Sequence, residues 1–342
     1  MLEKLKQILF VKENEAKLIE GDRIKLENVP DGEVVVRTEV STISCGTERA
    51  NLTGEKNVAG NTDFIVPFPR ALGYSSAGTV VSVSDKTKTI QVGDRVVAFW
   101  GKHVNYNVLP ENNVVKIPDG VDFSSAAITF ISSFSLAAIR KTKIEIGESC
   151  LIMGLGLLGQ CAVRYARLAG AYPVIAADPK ADRRELALSG GADYTLDPTE
   201  KDFTKKVKEL TNNGVNTCIE VTGVGAGLNG ALDCMAKFGR VALLGCTRNS
   251  DFTVDYYKKV HSMGVTLIGA HTMARPKFES YPHYFTHNDD IRVALDLIKS
   301  GRLDLKSMVK ETRSPNDCEE VYYRLVNDKN FPVCVQFDWS KL

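Results

Sequence analysis

Three glycines, Gly154, Gly156 and Gly159, stand in G-x-G-x-x-G spacing within the stretch CLIMGLGLLGQ. A short apolar run over 150–153 precedes them, and residues 158–168 follow with helical spacing. Asp178 closes the next apolar run, 19 residues after Gly159. This is the context in which a strand–turn–helix unit grips a dinucleotide. Gly154 permits the tight turn, Gly156 lets the backbone approach a pyrophosphate, and Gly159 lets helix and strand pack closely. The N–H groups at the start of the helix then face the phosphates. Asp178 is placed to accept the ribose hydroxyls and would repel a 2′-phosphate, which favours NAD over NADP. Lys180, Arg183 and Arg184 follow closely and keep NADP as the alternative, with Arg183 the candidate cofactor contact and Arg184 read as part of a solvated face.

The surrounding elements show what must hold this turn. From about residue 147 onward apolar runs alternate with helical stretches, at 150–153, 173–177, 216–221, 240–244 and 265–268, with helices over 183–189 and 228–237. Such alternation predicts a parallel sheet covered on both faces. Residues 6–118 read differently, as short alternating segments at 33–40, 78–85 and 95–99 separated by turn signals, hence a β-rich domain. A helical stretch from Phe123 to about Lys141, with a serine as its N-cap, joins the two. Helices near 290–300 and 315–325 and a strand near 333–337 complete the chain.

Composition limits the function classes. With 342 residues the chain suggests two domains. A net charge of +1 argues against nucleic acid or an anionic membrane as partner. No apolar stretch reaches the ~20 residues that span a bilayer, and residues 1–9 lack the apolar core of a secretory signal. The cysteines form no C-x-x-C pair, and several sit in apolar runs, so a reduced, cytoplasmic setting is expected.

The order of the parts, with Cys45-Gly46-Thr47-Glu48, the turn Gly93-Asp94-Arg95-Val96 and the segment VLPENNVVKIP, resembles the medium-chain dehydrogenase/reductase superfamily across essentially the whole chain. GYSSAG (73–78) and GKHVNYNVLP (101–110) resemble most its bacteriochlorophyllide dehydrogenase-like branch, with no pigment role implied. The resemblance implies an α/β protein: a GroES-like β-rich catalytic domain over 1–129, a Rossmann NAD(P)-binding domain with a doubly wound parallel sheet over 130–272, and a return to the catalytic domain over 273–342. It also implies an alcohol dehydrogenase-like oxidoreductase working on a small molecule as a dimer or tetramer.

The metal site departs from that pattern. Cys45 matches the family's first zinc ligand, but Tyr74 stands where the ligand histidine belongs and Ser75 where its glutamate belongs. Residues 128–133, ITFISS, offer no third ligand, and no four-cysteine lobe is present. Catalytic zinc needs three protein donors, so no metal is expected. An alternative set of Cys45, Glu48 and His103 stays open. Without zinc, a side chain must manage the substrate proton. The candidates beside Cys45 are Thr47, which matches the family's relay hydroxyl, Tyr74, and His103, chosen because free histidine is the side-chain type that changes charge near neutrality. The loop with His271 and Arg275, and the nearby Tyr281, His283 and His287, could reach a hydroxyl-rich or anionic substrate. Alcohol–ketone interconversion is the leading expectation. A zinc-free enone or quinone reductase, or a cofactor-binding protein without turnover, are the alternatives.

Overall fold

The computed structural model describes residues 2–26, 29–58 and 66–342; Met1, where the expected catalytic domain begins, lies outside them. The chain forms two compact units, Met1–Ile131 with Ile291–Leu342, and Ser132–Asp290.

The second unit holds a six-stranded sheet in the order Tyr194–Leu196, Val174–Ala177, Cys150–Met153, Val215–Glu220, Met235–Leu243, Thr266–Gly269. Every pairing is parallel. The strands Cys150–Met153 and Val174–Ala177 are buried at every residue. Such apolar runs are what a sheet covered on both faces requires. Leu151, Met153, Ile175, Val215 and Val241 form its core. The strand order reverses between Cys150–Met153 and Val215–Glu220, and in open parallel sheets ligands bind beyond the carboxyl ends at such a point.

The first unit carries a mixed seven-stranded sheet, antiparallel except where Val309–Arg313 pairs with Cys334–Asp338. Glu33–Thr42 lies at its centre, bonded to Ser75–Val83, Tyr106–Pro110 and Cys334–Asp338. Val34, Val36, Val80, Val96 and Ala98 pack one core, as period-two alternation predicts. A three-stranded sheet contains the hairpin Leu2–Lys12/Glu15–Lys25 and the short strand Arg70–Ala71. The α/β class with a β-rich domain and a Rossmann-type sheet stands.

Three details differ from the sequence reading. The stretch from Phe123 splits into helices Phe123–Ala126 and Thr129–Thr142, and the N-cap is Asp122, whose carboxylate accepts the Ser125 N–H. The helix expected over 228–237 is Gly225–Asp233, and Met235 already begins a strand. Cys45–Leu52, read only as a motif, is an α-helix. Among the described residues no helix is long and apolar enough to cross a membrane. Six of the eight cysteines are buried; burial pushes the Cys150 and Cys161 thiols up to about 12.

Candidate functional site

In the second unit the glycine turn follows Cys150–Met153 and leads into the helix Leu157–Leu168. Gly154 has φ +95°, and its N–H donates to the Ala177 carbonyl at 2.8 Å. A Cβ on Gly159 would lie 1.9 Å from the Gly154 carbonyl oxygen, so packing alone forbids any side chain there. At Gly156 a Cβ would meet nothing within 4 Å. Neither packing nor a positive φ demands glycine at Gly156; a bare backbone there leaves room for something outside the fold. Gly156 is also the N-cap and supplies no side-chain acceptor to the helix. The first N–H groups of the helix therefore find no partner within it.

Asp178 is 5 % exposed. Its Oδ2 accepts the Leu155 N–H at 2.8 Å and its Oδ1 the Lys180 N–H at 2.9 Å. One side chain thus ties the glycine turn to the end of the neighbouring strand. Each carboxylate oxygen has the capacity to accept a second hydrogen bond. Arg183 Nη1 lies 3.7 Å from Asp178 Oδ2. Arg184 is not on a solvated face as expected: its guanidinium donates to the carbonyls of Asp178 and Pro179 at 2.7 and 2.9 Å. Glu220, which the sequence reading missed, ends the strand at the reversal of strand order. It is 3 % exposed, accepts the Thr222 N–H at 2.8 Å and the Thr222 hydroxyl, and burial raises its carboxyl. A lone acid at the end of an apolar run, followed by Val-Thr-Gly, was the available signal.

The loop after Thr266–Gly269 does not offer its arginine to a substrate. The Arg275 side chain is 4 % exposed. It donates to the Ser133 carbonyl at 2.9 Å and to His287 Nδ1 at 3.0 Å, and sits 3.3 Å from Asp290 Oδ2. Burial and the Arg275 charge push His287 down to about 3. Lys141 Nζ holds the Gly269 carbonyl at 3.0 Å and also that of Ala274. His271 stays exposed beside its own loop, and Tyr281 is 56 % exposed, tilted against Tyr284.

In the first unit Cys45–Leu52 follows the central strand. Ser44 is its N-cap, yet its hydroxyl makes no capping bond. Instead Ser44 Oγ accepts the phenolic hydrogen of Tyr74. Thr47 Oγ1 lies 3.5 Å from the same phenol. Tyr74 precedes the strand Ser75–Val83 and is wedged among aromatic rings: Phe130 meets it edge-on at 5.8 Å and Trp100 tilts against it at 5.7 Å. Trp100 has φ +58°, a conformation bulky residues seldom adopt, and is 38 % exposed. The fold thus brings together Thr47 and Tyr74, two of the residues singled out from sequence, and adds Ser44, which was not.

Cys45 and His103 have other surroundings. Cys45 Sγ lies 3.9 and 3.8 Å from the carbonyls of Ile43 and Val333, packed against the core around Ile8, Phe10 and Tyr322. His103 is 1 % exposed, with both ring nitrogens engaged. Its Nδ1 is 2.7 Å from Ser41 Oγ, and its Nε2 is 3.3 and 3.2 Å from the two oxygens of fully buried Glu48. Glu48 also accepts the Tyr322 hydroxyl at 2.6 Å and the Ser44 N–H at 2.8 Å. Among the described residues, no three His, Cys, Asp or Glu side chains group as metal ligands would.

The family profile described as "Alcohol dehydrogenase GroES-like domain" matches residues 30–119, and the one described as "Zinc-binding dehydrogenase" matches 158–286. L-threonine 3-dehydrogenase of Pyrococcus furiosus is 32% identical over 276 residues, 72% of this chain and 77% of that protein. Sorbitol dehydrogenase of Bacillus subtilis is 25% identical over 343 residues, 90% and 92% of the two chains. The crystal structure of 2R,3R-butanediol dehydrogenase from Bacillus subtilis superposes with a TM-score of 0.80 at 20% identity, covering 98% of this chain and 99% of that one.

Proposed function

Because the chain belongs to the medium-chain, zinc-type alcohol dehydrogenase superfamily, and is an NAD(P)-dependent oxidoreductase of that family, we propose that it interconverts a secondary alcohol and a ketone without a catalytic zinc. The carrying observation is the phenol of Tyr74 on Ser44 Oγ, with Thr47 in reach, at the position where the family pattern has a metal ligand. The bound nicotinamide supplies or accepts the hydride. The chain's own task is the proton. In ketone reduction Tyr74 gives its phenolic proton to the carbonyl oxygen as the hydride arrives at carbon, and Ser44 or Thr47 passes a proton back to the phenol. In oxidation Tyr74 takes the hydroxyl proton and the two hydroxyls carry it away. The balance is alcohol plus NAD⁺ giving ketone, NADH and one proton.

The donor set supports the zinc-free reading. Zinc requires three side-chain donors with an open position. Cys45 is one, but its sulfur is packed against backbone carbonyls. Glu48 and His103 are spent on each other, Tyr322, Ser41 and Ser44. Recruiting them would break a buried network whose parts are costly to leave unpaired. These residues do not fit the ion, and no step runs through it.

Asp178, with lone pairs still open, supports NAD as the cofactor, and Arg183 beside it leaves NADP as the alternative. The substrate we infer is a polyol or sugar-like secondary alcohol. The names of the relatives mention threonine, sorbitol and butanediol, each with a polar group beside a hydroxyl. The branch resemblance carried by GYSSAG and GKHVNYNVLP, a cytoplasmic location and a dimer or tetramer complete the proposal.

The experiment is a pair of panels: NAD with polyols, sugars and secondary alcohols, and NADPH with enones and quinones, both followed by absorbance of the reduced cofactor. The proposal expects turnover in the first. A phenol acid would equally protonate an enolate, so turnover only in the second would replace alcohol chemistry with enone reduction.

A further inference from the structure

We propose that Glu48 and His103 are positioning residues that together set the Tyr74–Ser44 pair, a proposal that rests on the reading of Tyr74 above. The directions of the hydrogen bonds define a chain. The Trp339 indole N–H can only donate, and it donates to Ser41 Oγ at 2.8 Å. Ser41 Oγ lies 2.7 Å from His103 Nδ1. The Glu48 carboxylate can only accept, so His103 Nε2 carries the hydrogen that faces it, and in the neutral ring Nδ1 accepts from the Ser41 hydroxyl. Every link donates toward the Glu48 carboxylate, which also receives the Tyr322 hydroxyl and the Ser44 N–H.

This carboxylate reaches both members of the pair. Through the Ser44 N–H it fixes the backbone of the residue whose hydroxyl holds the phenol. Through His103 it fixes the floor under Tyr74. A Cβ on Gly73 would lie 2.2 Å from His103 N and 2.4 Å from its ring, so the segment entering Tyr74 rests directly on that histidine. The His103 N–H donates to the Leu72 carbonyl at 2.6 Å, clasping the same segment. Where zinc relatives can organise a site around an ion, here a buried carboxylate lies at the centre.

A double-mutant cycle tests this. In Glu48→Gln one oxygen must serve three donors and an amide N–H₂ is introduced among them. Turnover should fall about 10- to 100-fold, the cost of misplacing a reacting group by about an ångström, with cofactor affinity unchanged. In a Tyr74→Phe background the same change should cost no further turnover, because it acts through the phenol. If Glu48→Gln does not fold, Tyr322→Phe enters the same cycle: it removes one donor, leaves the Glu48–His103 and Glu48–Ser44 bonds, and should show a smaller loss with the same non-additivity. Equal losses in both backgrounds, or a parallel loss of cofactor affinity, overturn the positioning role alone. Undiminished turnover in Tyr74→Phe overturns the reading of Tyr74 and the positioning role together.

Discussion

Tyr74 donates its phenolic hydrogen to Ser44 Oγ, and Ser44, although it begins a helix, keeps that hydroxyl out of the helix cap. An N-cap serine usually stabilises its helix by accepting a backbone N–H, so its use here on a side chain 30 residues away marks the pair as something other than helix chemistry. Tyr74→Phe keeps the ring among Phe130 and Trp100 and removes only the hydroxyl. We predict a turnover loss of about 10²- to 10⁴-fold, the usual span for a general acid or base, with nucleotide affinity by calorimetry unchanged. Unchanged turnover would reduce Tyr74 to packing.

The glycine turn separates two reasons for glycine. Gly159→Ala places a methyl group 1.9 Å from a backbone oxygen and should destabilise the unit. Gly156→Ala meets open space and should melt close to the wild type, yet bind the dinucleotide far more weakly, since the added methyl occupies the approach to the pyrophosphate. Thermal melts with and without NAD check both. Wild-type affinity in Gly156→Ala would show that the cofactor does not approach there.

Asp178→Ala removes the acceptor for two backbone N–H groups as well as the proposed ribose contact. NAD affinity should fall by about tenfold or more, the scale of a hydrogen bond to a charged group. NADP should lose less, because the like charge facing its phosphate disappears. Equal losses for both nucleotides would contradict the ribose role.

His287 gives a pH dependence with a defined sign. Its folded value, about 3, lies below the ordinary histidine value of 6.5. The unfolded chain therefore binds the extra proton first, and the contribution is fully present above about pH 6.5 and lost as pH falls toward 3. The slope approaches about 1.4 kcal/mol per pH unit for one proton. His287→Gln keeps an acceptor for Arg275 and removes the titration. Its denaturation midpoints between pH 6.5 and 4.5 should fall less steeply than those of the wild type; parallel curves would contradict the assignment.

The parallel sheet was legible because strands buried on both faces must be apolar throughout, as over 150–153 and 174–177. The glycine turn was legible because the φ of Gly154 and the packing at Gly159 leave no room for a side chain at two of its three positions. The Cys45–Leu52 helix was hidden: a glycine at its second residue and a weak apolar stripe gave no periodicity, and it is held by Glu48 reaching Tyr322 274 residues away. Separations of 298 and 62 residues likewise concealed the Trp339–Ser41–His103 chain. Arg275 and His287 looked like substrate groups because composition does not show which way a side chain turns; Asp290 and the Ser133 carbonyl turn Arg275 inward.

The measurement that bears most directly on the proposed chemistry is turnover as a function of bound zinc. Purified protein, before and after chelator treatment and after zinc addition, is assayed with NAD and a responsive polyol while metal content is determined on the same samples. Turnover that stays constant as zinc falls far below one ion per chain is the expected result. Turnover that rises and falls in proportion to bound zinc would contradict a site in which Tyr74 and Ser44 manage the proton unaided.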